Sequence, residues 1–243
     1  MWINSAQTPA LPPQRIGVFI DYWYSYETAR TLFTEPPGSV PPAWFGNVSP
    51  VALARHLVKM PLPGRPRSTR VLAGTHVVIA HFDPATQRGQ AERVRVWLGA
   101  GAQVTVCPPP TEVPARRKGV LHIALASLVV NSVASGAYDT AIVFAGDPEL
   151  YPMFDLLAGD LVELPSSRVE RAVWVAEDRA AADGLSRLDG QVWCHRLGDR
   201  TFRALLDDRS DLLAQARRER QKGAPMPSTP EPPVEAHGRP RAP

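Results

Sequence analysis

Three carboxylates fall where apolar runs of the chain give way to polar turns. Asp21 ends the run RIGVFI, and Asp147 and Glu149 follow the run YDTAIVFA in the turn AGDPEL. Carboxylates that converge from separate segments can hold Mg²⁺ or Mn²⁺, and an ion so held activates water and steadies the charge on a cleaved phosphodiester. Each residue also has a local explanation. Asp21 can cap the helix behind it. Asp147 followed by Pro148 is the pattern of an N-cap and a first helical residue. Glu149, in the first turn, suits the positive end of a helix dipole. A cap can also be a ligand, so the readings coexist.

Other side chains fit a polyanionic strand. Arg116, Arg117 and Lys118 precede the long apolar stretch GVLHIALASLVV and could meet phosphates, although a solvated basic loop has the same composition. Tyr22, Trp23, Tyr24 and Tyr26 follow Asp21 closely, where an exposed ring could stack on a base and a buried one would pack the helix. Arg65, Arg67 and Arg70 make a looser patch that reads as solvent-facing. His81 and Asp83 close the second apolar run as an additional polar pair, and His195 in WCHRL reads as structural. The chain contains no nucleophile elbow, GxGxxG motif or P-loop. Cys107 and Cys194 stand outside any CxxC or Cys/His cluster and read as buried free thiols.

The elements that must position these groups alternate. Short β-branched runs at 15–20, 71–82, 102–107, 138–145, 169–176 and 190–195 read as strands. Helical patterns lie between them at 22–33, 50–59, 86–100, 118–134 and 149–158. Ser49-Pro50 is a start signal for the second. In the third, Ala91, Val94, Trp97 and Leu98 share one face. Residues 34–49, with four prolines and two glycines, read as a loop. Such alternation predicts a three-layer α/β/α fold with a mainly parallel central sheet. Ligands of such sheets bind at the carboxyl ends of strands, near the switch in strand order, and Asp21 and Asp147 end strands.

Composition is consistent with one core plus tails. The chain has 243 residues, 44% of them hydrophobic, and a formal net charge of +3, which permits nucleic-acid binding without arguing strongly for it. Residues 1–14 read as a loose lead-in and 15–209 as the folded domain. Residues 210–222 could form a short charged helix, and the proline-rich 223–243 read as disordered. No apolar run is long enough for a membrane span and no secretory signal opens the chain, so a cytoplasmic location is expected.

Five segments then carry a resemblance. FIDYWYSY, VWLGAGAQVTVCPPP, RRKGVLHIALASLVV, GAYDTAIVFAGDPELYPMFDLL and VWCHRL occur in an order that resembles the NYN domain of the PIN-like nucleases. The resemblance implies a PIN-like fold and, in active members, Mg- or Mn-dependent cleavage of RNA. Asp21 matches the first-strand aspartate of that family, Asp147 the first aspartate of its SGDxDF turn, and Glu149 conservatively replaces the second. Tyr24 stands where an asparagine is expected, Leu121 where the aspartate of KGVD is expected, and Ser127 where a further aspartate is expected. His122 is adjacent to Leu121, but one residue along a helix turns it about 100° away, so it is not expected to substitute.

Two functional expectations follow. One is a metal-dependent ribonuclease with a depleted acidic site: Asp21, Asp147 and Glu149 at the metal, and Arg116, Arg117, Lys118 and Tyr24 on the nucleic acid. The other is a catalytically inactive module of the same fold that binds RNA or a protein partner. RNA, or another nucleic acid, is the expected ligand, and a homodimer is compatible with either reading. An unrelated doubly wound domain of receiver type would need an acidic pair after the first strand and a lysine after the fifth, and neither is present.

Overall fold

The computed structural model describes residues 12–41, 45–60, 70–81, 88–107, 114–158, 168–176 and 192–207. Six strands form one sheet: β1 Gln14–Asp21, β2 Arg70–Ala80, β3 Gln103–Cys107, β4 Thr140–Phe144, β5 Arg168–Trp174 and β6 Trp193–Leu197. Their order is β3-β2-β1-β4-β5-β6, and every neighbouring pair is parallel. The helices are α1 Tyr22–Phe33, α2 Pro50–Lys59, α3 Arg88–Gly99, α4 Pro114–Ala134, α5 Tyr151–Ala158 and α6 Asp199–Leu205.

Parallel strands covered on both faces should be apolar throughout, and β4 is buried at every position. Ile16, Val18 and Ile20 of β1 point to one face, where they join Phe144, Trp174, Leu57 and Phe202. Phe19, Val143, Leu125 and Val129 fill the other. Cross-strand register carries α3 to the first face through Val77, Ile79 and Trp97. Helices α1, α2, α3 and α6 therefore cover one face, and α4 and α5 the other. This is the expected three-layer α/β/α fold.

The capping signals act as read. Ser49 Oγ accepts from the Ala52 amide at the start of α2, with Pro50 in the first position. Helix α4 begins earlier than its apolar pattern suggested, at Pro114, so Arg116, Arg117 and Lys118 belong to its first turns rather than to a preceding loop. Their side chains lie outside the described residues. The expected helix 149–158 divides into a 3₁₀ turn, Pro148–Leu150, and α5. Helix α6 had no counterpart in the sequence pattern. Leu98, placed on the buried face of α3, is exposed, whereas Trp97 is buried.

Arg70 is not solvent-facing. Its guanidinium lies 2.8 Å from Glu170, whose same oxygen is 2.7 Å from His195 Nε2. Arg65, Arg67 and Asp83 lie outside the described residues, and His81 is exposed. His195 is buried beside the Arg70–Glu170 pair. Cys107 is buried and Cys194 half-buried, and they form no disulfide. The chain divides into units Met1–Asp207 and Asp208–Pro243, and the second lies outside the described residues. Among the described residues no helix is long and apolar enough to cross a membrane.

Candidate metal centre

Strand order fixes where the carboxylates meet. From β1 the sheet grows one way through β2 and β3 and the other way through β4, β5 and β6. The switch lies between β1 and β4, where crevices form in open α/β sheets. Asp21 is the last residue of β1, and Asp147 follows the end of β4 by three residues.

Both aspartates cap and both face the crevice. Asp21 Oδ1 accepts from the Tyr24 amide at 3.0 Å, starting α1. Asp147 Oδ1 accepts from the Glu149 amide at 3.1 Å, with Pro148 in the first position of the turn. Each cap occupies one oxygen. The other oxygen, Oδ2 in both residues, lies 3.7 Å from His122 Nε2. The second ring nitrogen, Nδ1, lies 2.8 Å from Glu149 Oε2.

His122 therefore joins the cluster, contrary to the expectation that helix rotation would exclude it. The reason is the phase of α4. Leu121, Leu125, Val129 and Val133 form the buried stripe against the sheet. Leu121 thus belongs to the core, and the next residue in the helix turns toward the strand ends. Ser127 lies on the exposed side. Legible signals for His122 existed, since it is a polar residue beside an apolar stripe and adjacent to the expected acidic position.

His122, Asp147 and Glu149 each offer an atom within 4.8 Å of the others and could hold a metal ion. The arrangement around His122 is finer than proximity. A ligating histidine commonly donates its other N–H to a carboxylate, which fixes tautomer and ring orientation. Here Glu149 can accept from Nδ1–H, leaving Nε2 to face Asp21 and Asp147. Donors about 2.1 Å from one ion stand roughly 3.4 Å apart at the tetrahedral angle. The 3.7 Å from Nε2 to Asp147 needs only a small contraction, whereas Asp21, equally far from Nε2, stands outside the group of three whose ligand atoms close on one another.

Burial pushes the Asp21 carboxyl above its ordinary range, and the nearby charge of Asp147 adds to this. The amides of Tyr24 and Trp23 and the His122 ring oppose it. Asp21 is 3% exposed, so its charge lacks bulk water. A cation is the natural compensation for such a carboxylate.

Tyr24, expected on the nucleic acid, is instead packed inward. Its ring lies 5.7 Å from Phe144, and a Cβ placed on Gly146 would come 2.3 Å from it. Close approach explains the glycine before Asp147. Tyr22 is buried as well, with its hydroxyl 2.8 Å from Asn47 Oδ1.

Arg171 supports the Asp147 turn from behind and was not singled out by the sequence reading. It is 2% exposed and donates from Nε to the Ala145 carbonyl at 3.2 Å and from Nη2 to the Gly146 carbonyl at 3.3 Å. Its guanidinium lies over the Tyr151 ring. A charged pair, Glu170-Arg171, within the strand RVERAVW was the available signal.

The fold and site define a three-layer α/β/α protein with a candidate metal centre at the switch point of a parallel sheet. No family model and no curated protein matches the chain. Among solved structures, a protein of unknown function from Vibrio parahaemolyticus RIMD 2210633 is similar, with a TM-score of 0.51 and 13% identity over 79% of this chain and 97% of that one. That likeness is one of fold alone.

Proposed function

We propose that this chain is a metal-dependent ribonuclease of the NYN/PIN-like type, in which His122 supplies a ligand where the family resemblance leads one to expect an aspartate. The observation that supports it is the position of His122 Nε2, 3.7 Å from both Asp21 and Asp147 with Nδ1 on Glu149. Asp21, Asp147 and Nε2 would hold the ion directly, and Glu149 would orient the imidazole. A mixed nitrogen and oxygen donor set suits Mn²⁺ better than Mg²⁺, which favours oxygen ligands and retains its waters.

When bound, such an ion supplies water activation and charge neutralisation at a phosphodiester. The chain's own residues define the rest. Glu149, whose side chain is 64% exposed, is the carboxylate open to solvent and can accept a proton from water at the rim. The Tyr24 and Trp23 amides keep Asp21 oriented. The first turns of α4 bring the backbone of the Arg116-Arg117-Lys118 segment within one to two helical turns of His122. Three cations at a helix N-terminus oppose the helix dipole, an arrangement that a phosphate would relieve.

Incubation of the full chain with single-stranded RNA and Mn²⁺, beside Asp147→Asn and an EDTA control, tests the reading. Cleavage lost in both controls supports it, and no cleavage by the unaltered chain with any divalent metal contradicts it. Leu121 and Ser127, which leave two expected acidic positions vacant, favour a second reading: an inactive module that binds RNA. It predicts binding that persists in EDTA without cleavage.

A further inference from the structure

We infer that Arg171 is a positioning residue of the metal centre, setting where the Asp147 carboxylate stands by holding the two backbone carbonyls that precede it. The inference rests on the metal reading above and deepens it.

The register of the sheet creates the need. Strand β4 pairs with β1 and with β5 as far as Phe144, and one further bond runs from the Ala145 amide to the Ala172 carbonyl. There the chain leaves the ladder for the Asp147 turn. Carbonyls at such an exit must find other donors, because a buried one left unpaired is costly. Arg171 supplies them. It stands opposite Val143 in β4, and its side chain reaches along the strand. Nε donates to the Ala145 carbonyl at 3.2 Å and Nη2 to the Gly146 carbonyl at 3.3 Å. One planar guanidinium thus spans two successive peptide groups, the second of them joined directly to Asp147.

Arg171 has no competing task. Among the described residues no ion pair joins it to a carboxylate, and its remaining nitrogen, Nη1, is buried without a hydrogen-bond partner. The Tyr151 and Phe154 rings, 5.0 and 6.0 Å away, offset only part of the cost of burying the charge. An apolar side chain would suit the core better, so the arginine serves the turn. Gly146 is gripped from both faces of the sheet. Phe154, beside the guanidinium, belongs to the core under α4, whereas Tyr24 packs on the opposite core and closes on the Gly146 α-carbon. In front, the Glu149 amide holds Asp147 Oδ1. The backbone and one carboxylate oxygen are then fixed, which leaves Oδ2 directed at His122 Nε2, 3.7 Å away.

The test sets Mn²⁺ affinity, from calorimetric titration of the full chain, against the melting temperature without metal. Arg171→Met should weaken Mn²⁺ binding about ten- to a hundredfold, as loss of a group that orients a ligand does. Arg171→Lys keeps the charge but not the fork across two carbonyls, and should recover only part of the affinity. Leu57→Ala, a core change on the other face of the sheet, should lower the melting temperature with Mn²⁺ affinity kept. The electron paramagnetic resonance spectrum of bound Mn²⁺ should change in Arg171→Met and not in Leu57→Ala. An unchanged spectrum, or an affinity reduced no more than in Leu57→Ala, overturns the inference and leaves the metal reading intact. If Arg171→Met does not fold, Arg171→Lys decides: affinity equal to that of the unaltered chain overturns the inference, and a loss beyond that of Leu57→Ala supports it. No Mn²⁺ binding by the unaltered chain overturns both. Weakened binding by Arg171→Met in a chain that never cleaves RNA supports the positioning role and removes the hydrolytic assignment.

Discussion

His122 Nδ1 lies 2.8 Å from Glu149 Oε2, linking a mid-helix residue of α4 to the turn that follows β4. This pairing decides which face of the imidazole meets the two aspartates. Glu149→Ala should lower Mn²⁺ affinity about ten- to a hundredfold while leaving thermal stability nearly unchanged. His122→Ala should lower it further. Leu121→Ala should do the reverse, costing about 2–5 kcal/mol of stability with metal affinity retained. Calorimetric Mn²⁺ titration and thermal melts of the three variants check the contrast.

Asp21→Asn should make the metal-free protein more stable. Burial first, and then the charge of Asp147, raise the Asp21 carboxyl above its ordinary range. The folded state therefore holds this proton to higher pH than the unfolded chain. The corresponding stability is complete below the unfolded value and is lost as pH rises through the folded one. At neutral pH the charge is a cost that asparagine removes while still capping α1. The melting temperature should rise by about 2–4 °C for each kcal/mol recovered. Added Mn²⁺ should reverse the order, stabilising the unaltered chain and not the variant.

Glu170→Gln should destabilise by about 3–5 kcal/mol, because Arg70 would be left buried without its counter-charge. Burial alone would raise the Glu170 carboxyl, but the hydrogen bond with His195 and the Arg70 guanidinium hold it below the usual range. Its stabilisation is present above the unfolded value and is lost as pH falls through the folded one. Denaturant melts between neutral and acid pH should show a steep acid limb that the variant lacks.

Gly146→Ala should disturb the Asp147 turn through Tyr24, whose ring would lie 2.3 Å from the new methyl group. The expected cost is about 1–3 kcal/mol, with weaker Mn²⁺ binding. In a Tyr24→Leu background the same change should cost less, and a double-mutant cycle measures the coupling.

Much of this molecule is legible in its sequence because short apolar runs and caps are local. RIGVFI-Asp21, Ser49-Pro50 and Asp147-Pro148 each specify an element and its boundary without reference to distant residues. Tertiary context carried the remainder. The phase of α4 depends on which residues the sheet buries, so whether position 121 or 122 faces the crevice cannot be read from KGVLH alone. Tyr24 and Trp23 are adjacent aromatics of similar character, and only the packing against Phe144 and Gly146 separates an inward ring from an outward one. Arg70 looked like a surface cation because its partner, Glu170, is 100 residues away.

The central claim is that Asp21, Asp147 and His122 form one metal centre that cuts RNA. Its most direct test is the cleavage rate of a labelled single-stranded RNA by the full chain in Mn²⁺, measured beside His122→Ala and Asp147→Asn. The account predicts cleavage by the unaltered chain, none in EDTA, and a loss of about a hundredfold or more in each variant. Undiminished cleavage by either variant, or no cleavage by the unaltered chain with any divalent ion, would contradict it.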